Sequence, residues 1–177
     1  MAYKNLRAVT YTGASIALIV AWQFFSTGIG NTLVTGPVVN LILIVTVMVC
    51  GLKPGLTAAV VSPVCAKLIG IGPFWTLIPI IALGNAALAT VWHFLGRLEY
   101  GRFIVNRLIT AAAAAVVKFA VLYIGVVLLA VPYLLDIPAP AAATVSNMFS
   151  FPQLFTAFAG GVAAAAVIPI LKKAVKF

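Results

Sequence analysis

The feature that most constrains this chain is the run from Leu33 to Gly96, three apolar segments joined by turns of only a few Gly and Pro residues. A helix that crosses the hydrocarbon core of a bilayer needs about 20 apolar residues. Three such segments with almost no loop between them have to lie side by side as antiparallel helices. The polar exceptions within the run are Thr35, Asn40, Ser62, Lys67, Thr76, Asn85 and His93. A polar group taken into lipid is costly, so these few side chains are where function is to be sought.

Composition points the same way. The 177 residues are 64% hydrophobic and 7% charged, with 11 basic and 2 acidic side chains. That is too little charge to solvate the surface of a soluble domain of this length. A formal charge of +9 would suggest nucleic acid in a soluble protein. Here the basic residues gather at segment ends, where anchoring and orientation account for them, and no nucleic-acid partner is expected. Cys50 and Cys65 fall near opposite ends of neighbouring segments, out of reach of each other, and give no metal-ligand spacing. Lys4 and Arg7 before an apolar run resemble a secretory signal, but no small-residue cleavage site follows, so the first helix is expected to be retained.

The expected architecture is an all-α membrane protein, one integral domain over 1–177 with six transmembrane helices in a compact bundle. The spans are read as 8–26, 38–52, 54–70, 77–96, 104–131 and 151–171. With the N-terminus inside, Lys4, Arg7, Lys53, Arg97, Arg102, Arg107, Lys172, Lys173 and Lys176 all fall on the cytoplasmic side, as the positive-inside rule asks. An even number of spans makes both termini cytoplasmic. Lys67 and Lys118 are left over and need a separate explanation.

Residues at helical spacing indicate which faces meet. Gly13, Ala17 and Ala21 form a small-residue ladder in the first span; Gly51, Gly55, Ala59, Pro63 and Lys67 form one in the third. In the fifth, Ala111, Ala114, Ala115, Lys118 and Gly125 share a face, and in the sixth so do Gln153, Ala157, Gly160, Gly161 and Ala164. Small residues let helix backbones approach in lipid, where packing drives association.

Lys118 lies near the middle of the fifth span, where a charge costs about 2.5–3.5 kcal/mol on insertion scales. The two acids, Glu99 and Asp136, belong to loops. Lys118 therefore faces a water-filled cavity, binds an anionic ligand, or is desolvated and neutral. Lys67 lies a turn from its helix end and can snorkel. Asn40 and Asn85 are amides in apolar helices that need partners. His93, about 12 Å further along the helix from Asn85, has no acid or thiol at ligand spacing, and no metal is expected.

Three outer loops complete the candidate site. Ser26–Pro37 is Gly/Thr/Asn-rich and long enough to fold over the bundle mouth as a lid; Pro73-Phe74-Trp75 brings an aromatic to the outer interface; Pro132–Ser150 carries Tyr133, Asp136, Asn147 and Phe149. Convergence of these loops above the bundle would make a pocket for a small, flat, polar molecule. The candidate binding residues are Asn31, Thr35, Asn40, Lys67, Trp75, Asn85, Lys118, Asn147 and Gln153. Catalytic chemistry is absent from the pattern: there is no paired acid, no Ser/His/Asp or Cys/His arrangement and no phosphate loop, so neither enzyme activity nor a cofactor is expected.

LVTGPVVNL at the start of the second span, GLKPGLTAAVVSP in the third and IGPFWTLIPIIALGNA leading into the fourth are the residues that carry a family likeness. With its length and six spans, the chain resembles a substrate-binding S component of the energy-coupling factor (ECF) class of vitamin importers. The resemblance implies a multi-pass protein of a prokaryotic plasma membrane that captures a vitamin or related micronutrient on its outer side. It implies as partners a transmembrane coupling subunit and two cytoplasmic ATPases, and delivery by toppling within the bilayer. It further implies that the small face of the first helix, Gly13, Ala14, Ala17 and Ala21, meets the coupling subunit, with Gly13 standing where the family's pattern has Ala. The competing readings are a stand-alone secondary transporter or small channel, which predicts intramembrane acids or repeated broken helices, and a membrane-bound enzyme or scaffold.

Overall fold

The computed structural model describes residues 2–28, 32–72, 74–98 and 103–174. Among them there is no strand. The chain forms α1 (Ala2–Thr27), α2 (Thr32–Cys50), α3 (Leu52–Leu68), a 3-10 turn (Trp75–Leu77), α4 (Ile78–Leu95) and α5 (Phe103–Leu122). A π-helical segment (Tyr123–Ala130) and the single turn α6 (Val131–Tyr133) extend α5, and α7 (Ala139–Met148) precedes α8 (Phe151–Ala174). Among the described residues five stretches, Ala8–Thr27, Leu33–Cys50, Trp75–Leu95, Phe103–Tyr133 and Ala139–Leu171, are long and apolar enough to cross a membrane, and the expected span 54–70 is not one of them.

The helix α2 is the axis of the bundle. It packs on α1, α3, α4 and α8, while α5 closes the ring between α4 and α8. Asn40, Leu43, Ile44, Thr46 and Val47 are buried along it. The outer surface is apolar too: Leu18, Phe24, Phe25, Val60, Leu83, Ile109, Val116 and Phe155 are exposed. A fold whose interior holds Asn40, Asn85, Lys118 and several Thr side chains and whose exterior shows Phe and Ile suits a lipid solvent, where polar groups must be satisfied internally.

Close packing at the axis depends on two adjacent glycines of α8. A Cβ on Gly160 would lie 2.6 Å from the Pro37 carbonyl oxygen and 2.7 Å from the Asn40 Cβ; one on Gly161 would lie 2.8 Å from the Ala111 Cβ. One glycine thus seats α8 on α2 and the other seats it on α5, and those two helices bring Asn40 and Lys118 together.

Four boundaries differ from the sequence expectation. The stretch read as a long outer loop to Pro37 is helical from Thr32, and Pro37 lies inside α2. Proline removes one main-chain hydrogen bond, a loss that apolar helices packed on neighbours tolerate. The turn between α2 and α3 falls at Gly51, whose φ of 100° suits glycine, so Lys53 lies within α3. The stretch Pro132–Ser150, read as loop, contains α7; Pro140 sits at the start of that helix, where the missing N–H costs nothing. The π-helical segment has no counterpart in the sequence reading. Its Gly125 leaves a Cβ site 2.5 Å from the Ile80 Cγ2, against α4.

Candidate functional site

Three polar side chains meet inside the bundle. Lys118 of α5 donates from Nζ to the Asn40 Oδ1 of α2 at 2.6 Å and to the Asn85 Oδ1 of α4 at 2.7 Å. Lys118 and Asn85 are each 4% exposed and Asn40 is 1% exposed. A protonated lysine can only donate, so each asparagine presents its carbonyl oxygen to it. Three helices are thereby tied at one point by short hydrogen bonds. Among the described residues no carboxylate takes part: Asp136 is exposed beyond α6.

The cluster forms part of the wall of a cavity of about 150 Å³. Thr35, Asn40, Ser62, Asn85, Lys118 and Gln153 supply polar groups to its lining, together with Gln23 from α1. Val39, Pro63, Ile81, Leu122, Met148 and Phe149 make it apolar elsewhere. Lys118 is the one ionisable side chain in the lining among the described residues. Near the end of α1, the Gln23 Oε1 is buried without a hydrogen-bond partner. The start of α2 is pinned beside it: Trp22 Nε1 donates to the Thr35 carbonyl at 3.3 Å, and Thr35 Oγ1 donates to the Ser26 Oγ at 2.8 Å. From Thr32 to Pro37 the stretch read as a lid is helix fastened to helix, while its residues 29–31 lie outside the described residues.

Of the expected binding residues, Thr35, Asn40, Asn85, Lys118 and Gln153 line this one cavity. Lys67, Trp75 and Asn147 do not. Lys67 Nζ reaches the Gly72 carbonyl at 3.4 Å, closing the turn after its own helix. Trp75 is 54% exposed on the 3-10 turn. The Asn147 side chain is exposed on α7, and its main-chain oxygen accepts from the backbone N–H of Ser150. Asn31 lies outside the described residues. Gln23 is the polar lining residue that sequence reasoning passed over, and Ser62, noted there as a polar exception, was not counted among the binding residues. The available signal for Gln23 was its place as the one amide of the first apolar run.

The small-residue ladders split into two kinds. Ala59 and Pro63 of α3, Ala111, Ala114 and Ala115 of α5, and Ala157 and Ala164 of α8 are buried. Gly13, Ala14, Ala17 and Ala21 of α1 are exposed, and a Cβ on Gly13 would meet nothing within 4 Å. Near the other end of the bundle His93 stands edge-on to Phe94 at 5.0 Å, and among the described residues no three His, Cys, Asp or Glu side chains come together. Arg107, expected with the interfacial basic residues, is buried in the second turn of α5 with its guanidinium 5.1 Å from the Phe103 ring centre.

Comparison of the chain with protein-family models, with curated proteins and with solved structures gives no match.

Proposed function

We propose that the chain is a membrane-embedded receptor for a small solute, acting as the substrate-binding S component of an ECF-type importer. The carrying observation is a buried lysine on a cavity wall whose partners are two neutral amides. Burying that side chain is costly, and among the described residues no carboxylate beside it offsets the cost. A structural tie between helices could use two amides alone. A lysine is retained where its charge or its donors meet a ligand.

The remaining features support the same reading. The α3 helix, with 17 residues, spans about 25 Å at about 1.5 Å per residue. Lys53 and Lys67 near its ends can reach the interfaces, which supports reading it as a sixth span, with both termini then on the cytoplasmic side. The outward small face of α1 offers a flat strip to a coupling subunit in the plasma membrane. Energy would come from two separate ATPases, the bundle would topple to release a vitamin-like cargo inside, and the chain itself would catalyse nothing.

Purification of the full chain from cells followed by mass spectrometry of the extracted small molecules tests the receptor. One solute recovered per chain is expected. Co-isolation of a coupling subunit and ATPases tests the assembly. Uptake that persists in cells lacking every ECF ATPase would overturn the importer reading and favour a stand-alone transporter.

A further inference from the structure

We propose that the cavity takes a small organic mono-anion: a flat carboxylate, bound at Lys118, with a hydrogen-bond donor at its far end. This names the substrate class of the receptor proposed above and rests on that reading. Because Lys118 can only donate, Asn40 and Asn85 turn their oxygens toward it and keep their N–H₂ groups for something else. Among the described residues no protein acceptor engages either amide nitrogen, and both side chains line the cavity. An ammonium flanked by two amide N–H₂ groups is a donor-only pole, which suits an anionic acceptor.

The other pole is an acceptor. Gln23 Oε1 is buried and unpartnered on α1. That helix packs on α2 and α3, whereas the α5 that carries Lys118 packs on α4 and α8. The two poles thus come from opposite sides of the cavity, with Val39, Ile81, Leu122 and Phe149 as apolar lining. A bound molecule that meets both is acidic at one end, apolar in the middle and a donor at the other.

Charge and volume narrow the class. With Lys118 as the one ionisable group in the lining, a mono-anion is neutralised. A phosphate dianion would carry an uncompensated charge into a poorly solvated site. An apolar cavity of about 150 Å³ holds one benzene ring, so the space found here suits one ring with small substituents.

The test is calorimetric titration of the full chain in lipid nanodiscs with benzoate, 3-hydroxybenzoate, 4-hydroxybenzoate and the methyl ester of each. The acids are expected to bind about tenfold or more tighter than their esters, the effect of one charge-assisted hydrogen bond. One hydroxy acid is expected to exceed benzoate by about fivefold. Gln23→Leu should remove the hydroxyl increment and keep the preference for acid over ester; Lys118→Met should do the reverse. Absence of binding by every acid, esters binding as well as acids, or a hydroxyl increment that survives Gln23→Leu would each overturn the proposal. Gln23 is half-buried, so its variant carries the test even where Lys118→Met does not fold. A neutral or cationic solute recovered with the purified chain would overturn this substrate class and leave the receptor standing. A chain that binds the acids without associating with any ATPase module would do the opposite.

Discussion

The strip of small residues on α1 and the strips on α5 and α8 are built alike, yet they face opposite ways. Gly13, Ala14, Ala17 and Ala21 look outward, while Ala111, Ala114, Ala157, Gly161 and Ala164 are buried in the interior. What separates them is the opposite face of each helix. On α1 the residues turned away from the ladder include Thr12, Ile19 and Ser26, all buried. On α5 the residues turned away include Ile109 and Val116, bulky and exposed, while Thr110 and Lys118 lie inward with the alanines. A polar side chain in lipid goes where it can be satisfied, and it carries its helix face with it. Small residues permit close approach; the polar residues decide which face makes it.

The inward strips are the easiest to break. Gly160→Leu puts a side chain where the Pro37 carbonyl oxygen and the Asn40 Cβ already lie within 2.7 Å, so α2 and α8 must separate. Overpacking of a tight contact costs about 1–3 kcal/mol and more where backbone is struck. This variant is expected to show the largest fall in thermal unfolding temperature in detergent, and to lose the Lys118 cluster with it. A variant as stable as the parent would mean that α8 does not seat on α2 as described.

Next in size comes Asn85→Leu, which takes one acceptor from the buried Lys118. Leaving a buried donor short of a partner costs about 1–3 kcal/mol. The double variant Asn85→Leu with Lys118→Met removes donor and acceptor together and is expected to recover part of the loss, because the two sites are coupled. Chemical denaturation of the parent, both single variants and the double variant gives the coupling directly. Additive effects would show that the hydrogen bond contributes nothing to the fold.

How far the sequence could lead is visible in these same residues. Asn40, Asn85 and Lys118 stood out because an apolar helix exposes every polar exception, and they come together at 2.6 and 2.7 Å. Five long apolar helical stretches were legible for the same reason. The loops were not. Pro37 and Pro140 read as chain breakers, but proline is tolerated inside an apolar packed helix and favoured in a first turn, so α2 began early and α7 went unread. Trp75 and Asn147 were placed in the site on the assumption that the outer loops converge over the bundle. Once Pro132–Ser150 holds a helix and Thr32–Pro37 belongs to α2, those two side chains face out and the cavity closes around Gln23 and Ser62 instead. The facing of α1 could not be read from its residues, since a ladder of small residues is the same pattern whichever way it turns; the family resemblance alone implied an outward face.

The outward strip separates folding from association. Ala17→Trp projects from an exposed position, so its effect on stability is expected to stay within about 0.5 kcal/mol. If the strip is a docking face, the same substitution should block association with the coupling subunit in co-isolation experiments while cavity binding of the aromatic acids is kept. A large loss of stability would place the strip inside a contact after all, and unimpaired assembly would remove α1 from the interface.

The smallest effect is expected at Lys67, and it sharpens the contrast between inward and outward faces. The α3 ladder of Gly55, Ala59 and Pro63 is buried, but by Lys67 the helix has reached its last turn, and the side chain bends to the Gly72 carbonyl at 3.4 Å. It lies outside the cavity lining. The sequence already set Lys118 at mid-span and Lys67 a turn from its helix end, and the structure holds the first by two amides inside the bundle and the second by one turn carbonyl at its edge. Lys67→Met therefore gives up at most a weak, solvent-screened hydrogen bond, about 0.5 kcal/mol or less. Titration with the aromatic acids should give the parent affinity in Lys67→Met and a loss of about tenfold or more in Lys118→Met. Equal losses in the two variants would show that a diffuse positive field draws the anion, and that the Lys118 cluster is a structural tie with no special claim on the ligand.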